Sequence, residues 1–377
     1  MAKRYDVIVI GAGLGGLTAA AGLARAGRKT LLIERNASVG GAASTYKVGD
    51  LTVEASLHET SDPRDPADPK HAVLAGLGVL DAVEWVPVGS LYEARGGPLG
   101  APFRMPESFA GARAALGERF PAARAGIAAV LGDMERIAVG LGTLGRGREA
   151  FRDLREGFSA LLKLAPVVRD WRLSLGQVLE RHFGSNEAVK CALAANLPYY
   201  HDDPDGLWWI FFAVAQGGYL QSGGYYIRGG SQRLSDALAG AVTAAGGEIR
   251  LGHAATAIRL DGAGAPCAVA YRDLAGGDAA EAEAPIVVGN AAPGVLAAML
   301  PEAARADFLA PYAKRSQSIS LFSATFGLSV RPAELGLRAY STFLLPGSMT
   351  RLADYRASSR VMGSLPAGDL PGMPVVD

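Results

Sequence analysis

The sequence predicts an α/β chain (α+β overall), with one α/β domain assembled from separated segments and interrupted by a mainly helical region that also contributes β-sheet. Three observations predict it. First, the branched apolar run Asp6-Val7-Ile8-Val9-Ile10 leads directly into Gly11-Ala12-Gly13-Leu14-Gly15-Gly16, and an alanine- and leucine-rich stretch continues to Ala26. Second, Lys29-Thr30-Leu31-Leu32-Ile33 forms another apolar run that closes on Glu34. Third, after a long helical stretch, the alternation of strand and helix resumes between Tyr225 and Pro293.

The first two observations together read as strand, glycine turn, helix, strand and acid, the Rossmann-like dinucleotide-binding fingerprint in its structural context. Gly11 permits the tight turn out of the first strand, Gly13 lets a pyrophosphate approach the backbone, and Gly16 lets helix and sheet pack closely. The helix N-terminus then offers unpaired N–H groups and the positive end of its dipole to phosphates. Glu34 is placed to accept hydrogen bonds from ribose hydroxyls, and its charge would repel a 2′-phosphate, which disfavours NADP in this site.

At 377 residues the chain has room for two or three domains of roughly 150 residues. Hydrophobic residues make up 49% and charged residues 20%, enough for large cores. Lys+Arg and Asp+Glu both number 37, and this balance argues against a nucleic-acid partner. Cys191 and Cys267 suggest no disulfide framework, and His58, His71, His182, His201 and His253 have no metal-ligand spacing. No apolar run reaches membrane-spanning length. A cytoplasmic setting is expected, with attachment to a membrane surface open.

Beyond Glu34, the pair Gly40-Gly41 reads as a second close approach of backbone to ligand, Tyr46 to Glu54 as a hairpin around Gly49-Asp50, and Ser61 to Pro69 as a proline- and aspartate-rich domain crossing. Helices are expected over Ala72–Val83, Pro106–Leu116, Ala122–Leu141, Phe151–Leu164, Ser174–Phe183 and Asn186–Leu197, with short strands between Trp85 and Arg104. Leu207 to Ala215 is apolar on every face, and reads as a buried helix or the wall of an apolar ligand tunnel. Ser231 is a candidate N-cap for a helix over Leu234–Ala245. Strands follow at Glu248–Leu251 and Ala255–Leu260, then a small meander and the strand Pro285–Asn290. Gly294–Leu300 reads as a short helix, and Ser318–Phe326 as a strand paired with Tyr340–Leu345. These readings divide the chain into a nucleotide domain, residues 1–60 and 225–295, and a substrate domain, residues 61–224 and 296–377.

The chain resembles the flavin-dependent carotenoid and retinoid oxidoreductases: phytoene desaturases, carotenoid isomerases and retinol saturases, in a superfamily shared with amine oxidases. The resemblance covers nearly the whole chain. It is most specific at Asp6–Glu34, Gly40-Gly41, Leu57-His58, Tyr226 to Leu234 and Val288-Gly-Asn290-Ala. It implies FAD as cofactor, with Gly11, Gly13, Gly15 and Gly16 along the pyrophosphate and Glu34, followed by Arg35, at the adenosine ribose. It also implies that Gly40, Gly41 and Ala42 lie near the flavin-side phosphate, and that the Ala255 backbone meets the adenine. His58 would fall in the segment approaching the isoalloxazine. Many relatives carry arginine where this chain has Ala42. They also continue into a further flavin-binding segment and a final helix, so a chain ending at Asp377 is expected to be a truncated form.

The implied chemistry is hydride exchange between flavin and an apolar polyene, as desaturation, saturation or isomerisation. Candidate proton handlers are His58, Glu59, Tyr199, Tyr200 and His201, with His58 foremost. For each the structural alternative stands beside it: loop satisfaction for His58 and Glu59, and a solvated helix exit for the other three. Glu54 reads as a hairpin residue or as support for the site, and Cys191 and Cys267 as packing residues. Two other functions stay open, an amine-oxidase-like flavoenzyme and a non-catalytic lipid escort of the same fold.

Overall fold

Val7–Ile10 and Thr30–Ile33 are buried along their whole length, the pattern of central strands in a parallel sheet covered on both faces. In the computed structural model, which describes residues 3–56, 59–145, 158–159, 162–277, 279–315 and 323–357, they are β2 and β3, following a two-residue β1 (Lys3–Arg4). The parallel sheet runs β11-β3-β2-β15, with β11 (Glu248–Arg250) and β15 (Ile286–Gly289) supplied by the distant segment. The register pairs Val7 with Thr30 and Ile286, and Leu31 with Glu248.

Helix α1 (Leu14–Arg25) packs on one face of this sheet through Leu17, Ala20 and Ala21, beside Leu234, Leu238 and Val242 of the later helix Gln232–Ala244. Leu74 and Leu77 of α2 (Pro69–Leu77) and Trp85 join the same core. Ile8, Ile10, Leu31 and Ile33 point to the other face, where they meet Ile258, Val269 and Ala282. Those three belong to a meander of β12 (His253–Leu260), β13 (Pro266–Asp273) and β14 (Ala279–Glu283). The sheet is thus sandwiched between helices and a small antiparallel sheet. The expected hairpin is present as β4 (Thr45–Val48) and β5 (Leu51–Glu54).

A separate core holds the inserted region. Its helices are α3 (Phe109–Arg119), α4 (Arg124–Gly145), α5 (Ala165–Asp170), α6 (Leu175–Phe183), α7 (Glu187–Leu193) and α8 (Trp209–Ser222). Met134, Leu179, Ala192, Trp209 and Phe212 lie at its centre. Ser174 caps α6 in a full capping box with Gln177. The short β10 (Gly224–Ile227) returns the chain to the sheet domain, pairing with β6 (Thr60–Ser61) and β7 (Trp85–Pro87). Further helices are Gln232–Ala244 (α9), Pro293–Met299 (α10) and Glu302–Leu309 (α11).

Three expectations are corrected. Residues 323–326 form no strand, and 318–322 lie outside the described residues. The expected partner is a strand, β16 (Thr342–Leu345), but it pairs in parallel with β8 (Tyr92–Gly96), which in turn pairs with β9 (Phe103–Met105). The backbone can approach there because Gly96 has no side chain; a Cβ would lie 2.4 Å from the Leu345 carbonyl oxygen. The Leu207–Ala215 stretch is also not buried all round: Trp209, Ile210, Phe212 and Ala213 face the core, while Trp208, Phe211 and Val214 are exposed. Ser231 precedes α9 but does not cap it, for its hydroxyl is engaged elsewhere. Most of the expected Phe151–Leu164 helix lies outside the described residues.

Candidate functional site: a glycine cradle and its neighbours

The turn after β2 packs closely against backbone. Gly11 has φ +96°, a conformation that favours glycine, and a Cβ there would lie 2.7 Å from the Asn290 carbonyl oxygen. A Cβ at Gly16 would lie only 2.0 Å from the Gly11 carbonyl oxygen, so any side chain at that position forces the turn apart. Gly13 and Gly15 face the side-chain amide of Asn290, whose Nδ2 donates to the Gly11 carbonyl at 3.3 Å.

The second glycine pair meets the first. Gly40 bridges to Gly13, and its N–H donates to the Ala12 carbonyl at 2.8 Å. Gly41, exposed and at φ +58°, brings its Cα face against the Gly13 Cα. Ser235 of α9 fixes the loop from behind by donating to the Ala43 carbonyl at 2.7 Å. Ala42 and Arg35 are exposed.

Glu34 is buried at the end of β3. Its Oε2 accepts the Ala12 N–H at 2.7 Å and its Oε1 the Asn36 N–H at 2.8 Å. Each carboxylate oxygen keeps further accepting capacity, so anchoring the turn leaves Glu34 able to receive hydroxyls. The Glu34 N–H donates to Arg250 and its carbonyl accepts from His253, which brings the start of β12 to the same edge. Ala255 lies two residues along, paired with Tyr271 just before a register shift.

The N-terminus of α1 opens onto this cradle with Gly13 as N-cap. No side chain caps it and no acidic residue occupies its first turn. Free N–H groups, the dipole and a surface without side chains fit the pyrophosphate of a dinucleotide. Every position where a Cβ would intrude is glycine, which is the fit expected for a group lying flat on the backbone.

Glu54 links the two separated segments. Its Oε1 accepts the Ser231 hydroxyl at 2.5 Å, and its Oε2 accepts the Ser231 N–H at 3.0 Å and the Tyr226 hydroxyl. Burial, with Glu54 as the next cause, holds the Tyr226 phenol protonated well above its ordinary range. The role is that of a clamp.

The remaining candidates are held in different ways. His58 lies outside the described residues. His201 is spent locally, its Nδ1 accepting the Asp203 N–H at 2.9 Å. Tyr200 is packed against Phe211 and Phe212, and Tyr199 stacks edge-on to Phe343. Cys191 is buried, and burial pushes its thiol up to about 12, so it is an inert packing residue. Cys267 lies in β13. Among the described residues no group of His, Cys, Asp and Glu is placed to hold a metal, and no helix is long and apolar enough to cross a membrane.

Sequence reasoning missed Asn290 as a site residue, although it sits at the carboxyl end of a parallel strand, where doubly wound sheets bind ligands. It also missed Ser235, Tyr219 and Glu107, whose spacing carries no signal.

The NAD(P)-binding Rossmann-like domain family model matches residues 9–67, the span from β2 through the hairpin. All-trans-retinol 13,14-reductase of Rattus norvegicus is 27% identical over 300 residues, covering 77% of this chain and 48% of that protein. Phytoene dehydrogenase of Streptomyces griseus is 29% identical over 272 residues, covering 68% of this chain and 49% of that one. The chain carries a FAD/NAD(P)-binding Rossmann domain related to the retinol reductases and phytoene dehydrogenases. It spans about half the length of these curated relatives. Among solved structures, an oxidoreductase from Methanosarcina mazei superposes with a TM-score of 0.57 at 18% identity, covering 82% of this chain and 64% of that one, which is a likeness of fold.

Proposed function

We propose that the chain is an FAD-dependent oxidoreductase acting on carbon–carbon bonds of an apolar polyene of the carotenoid or retinoid class, by desaturation, saturation or isomerisation. The observation that carries this reading is the backbone cradle formed by Gly11–Gly16, Gly40-Gly41 and Asn290, closed from below by Glu34. The relatives' names supply the chemical class.

FAD, when bound, supplies the hydride exchange. The chain's own residues bind and orient it. The N–H groups opening α1 hold the pyrophosphate, Glu34 the adenosine ribose, the Gly40-Gly41 turn the flavin-side phosphate, and the Ala255 backbone the adenine edge. We assign residues 1–60 and 225–295 to this nucleotide domain, and residues 61–224 and 296–377 to the substrate domain, with α2 docked on the former.

A cavity of about 500 Å³ between α2, α4 and α8 has the size of a small-molecule site. Ala138, Leu141, Val214 and Ala215 give it apolar walls, and Tyr200 and Tyr219 line it as well. The exposed Trp208 and Phe211 lead along α8 toward Val214 at its rim, with the exposed Trp171 beside them. We take this face as the contact with a lipid surface from which an apolar substrate is drawn, the protein itself being cytoplasmic.

Purification of the chain with its visible absorption recorded tests the cofactor. A flavin spectrum, retained or restored by added FAD, is expected; a folded chain that takes up none overturns the reading. Organic extraction and mass spectrometry test the substrate class: a co-purified polyene supports it, and ordinary phospholipid alone counts against it.

A further inference from the structure

Two half-buried glutamates each turn one carboxyl oxygen away from solvent without an evident structural task. Glu59 Oε1 and Glu107 Oε2 are shielded from solvent and have no hydrogen-bond partner among the described residues. Each lies against one of the adjacent glycines where β10 begins. A Cβ at Gly224 would lie 2.8 Å from Glu59 Oε1, and one at Gly223 would lie 3.7 Å from Glu107 Oε2. A carboxylate that merely anchors backbone has its oxygens paired, as in Glu34 and Glu54. These two have not, and leaving a buried charge unpaired is costly.

The groups around Glu59 are phenols and one further acid. Tyr219 of α8 donates to the Glu59 backbone carbonyl at 3.4 Å. Burial first, and then the Glu59 charge among other causes, raises the phenols of Tyr199, Tyr200 and Tyr340, and Glu107 lies just before α3. Burial first, and then the Glu107 charge, push the Glu59 carboxyl up to about 7. Ser231 and Tyr226 both donate to Glu54, and the Tyr226 ring lies 6.2 Å from that of Tyr340. On the other side, Tyr219 and Tyr200 line the apolar cavity.

Resting on the reading of the chain as a flavin enzyme of carbon–carbon bonds, we propose that Glu59 exchanges the proton of that reaction, with Glu107 as its positioning residue. In the reducing direction the Glu59 O–H bond breaks and a C–H bond forms at one carbon of the double bond. The π pair becomes that bond, and the other carbon receives hydride from reduced flavin. The double bond is reduced, the flavin's two electrons are spent, and a carboxylate remains that solvent reprotonates. In the oxidising direction the carboxylate takes the proton while hydride departs to oxidised flavin.

The test is carboxyl NMR of the full chain labelled with ¹³C at glutamate Cδ, with FAD added, for wild type, Glu59→Gln and Glu107→Gln. One carboxyl titrating near neutrality is expected in wild type, absent from Glu59→Gln and moved to lower pH in Glu107→Gln, with equal flavin absorbance in all three. With all-trans-retinol as the polyene probe, Glu59→Gln should slow polyene-dependent flavin reoxidation by roughly 100-fold or more, and Glu59→Asp should restore part of the rate. A Glu59 that titrates in the ordinary carboxylate range, a midpoint unmoved by Glu107→Gln, or undiminished turnover in Glu59→Gln overturns the proposal. A wild type that keeps the neutral titration but binds no flavin overturns the enzyme reading instead, so the two failures are distinct.

Discussion

Gly16 and Gly22 stand on the same helix and meet opposite demands. A methyl group at Gly16 would press into the Gly11 carbonyl, whereas one at Gly22 has nothing within 4 Å. Gly16→Ala is expected to cost roughly 1–3 kcal/mol by overpacking and to abolish dinucleotide retention. Gly22→Ala should add about 0.5–1 kcal/mol, because glycine in a helix interior wastes conformational entropy. Urea denaturation of both variants, with flavin absorbance alongside, checks the pair; similar effects at the two sites would contradict the cradle geometry. Glu59 yields a pH prediction. Folded, it keeps its proton to about 7; unfolded, it releases it near the ordinary 4.5. The folded state therefore binds the extra proton in that window, and stability falls as pH rises from about 4.5 through 7. Glu59→Gln should remove this slope, matching wild type in mild acid and exceeding it by on the order of 1–3 kcal/mol above neutrality. Thermal unfolding across the pH range reads it directly.

Among the elements, the hairpin β4–β5 and helix α9 are far apart in sequence and joined through one side chain, Glu54. Glu54→Ala removes the acceptor of the Ser231 N–H and hydroxyl and of the Tyr226 hydroxyl, and should cost about 1.5–3 kcal/mol, the range for hydrogen bonds to a charged group. The loss should show in hydrogen exchange as faster opening of the Ser231 amide and of the hairpin, with β2 and β3 unaffected. Protection unchanged at Ser231 would remove the clamp from the account. Local signals decide how much of these elements is readable in advance. The β2–α1–β3 unit is legible because its strand, turn, helix and acid follow one another within forty residues. The Ser174 cap is legible because a capping box is local. The partner of β16 is not: its pattern announces a strand, but the edge of β8 that receives it is set by packing around Gly96. Ser231 has the right residue for a cap, yet Glu54, distant in the chain, claims its hydroxyl.

At the scale of the whole molecule, the cofactor should act as a stabiliser. FAD at 100 times its dissociation constant should raise the unfolding free energy by about 2.7 kcal/mol, and an absent shift in the thermal midpoint would speak against a site on the folded chain. The candidate site was legible in its glycines and in Glu34, because backbone approach to a phosphate can be served by few residue types. Asn290, Glu107, Tyr219 and Tyr340 were not, since their placement depends on how the helical region folds back on the sheet; Tyr199 and Tyr200 read in the sequence as candidate proton handlers or as polar groups of a helix exit. Asn290 also dictates an order of events. It lies 279 residues beyond Gly11, whose carbonyl it holds. During synthesis the glycine turn emerges first and then waits for most of the chain before its last wall arrives. Strand pairing over such a distance is slow, since loop closure precedes the reward. The nascent turn therefore spends that interval as an incomplete ligand site, and cofactor capture is expected only once the two halves have come together.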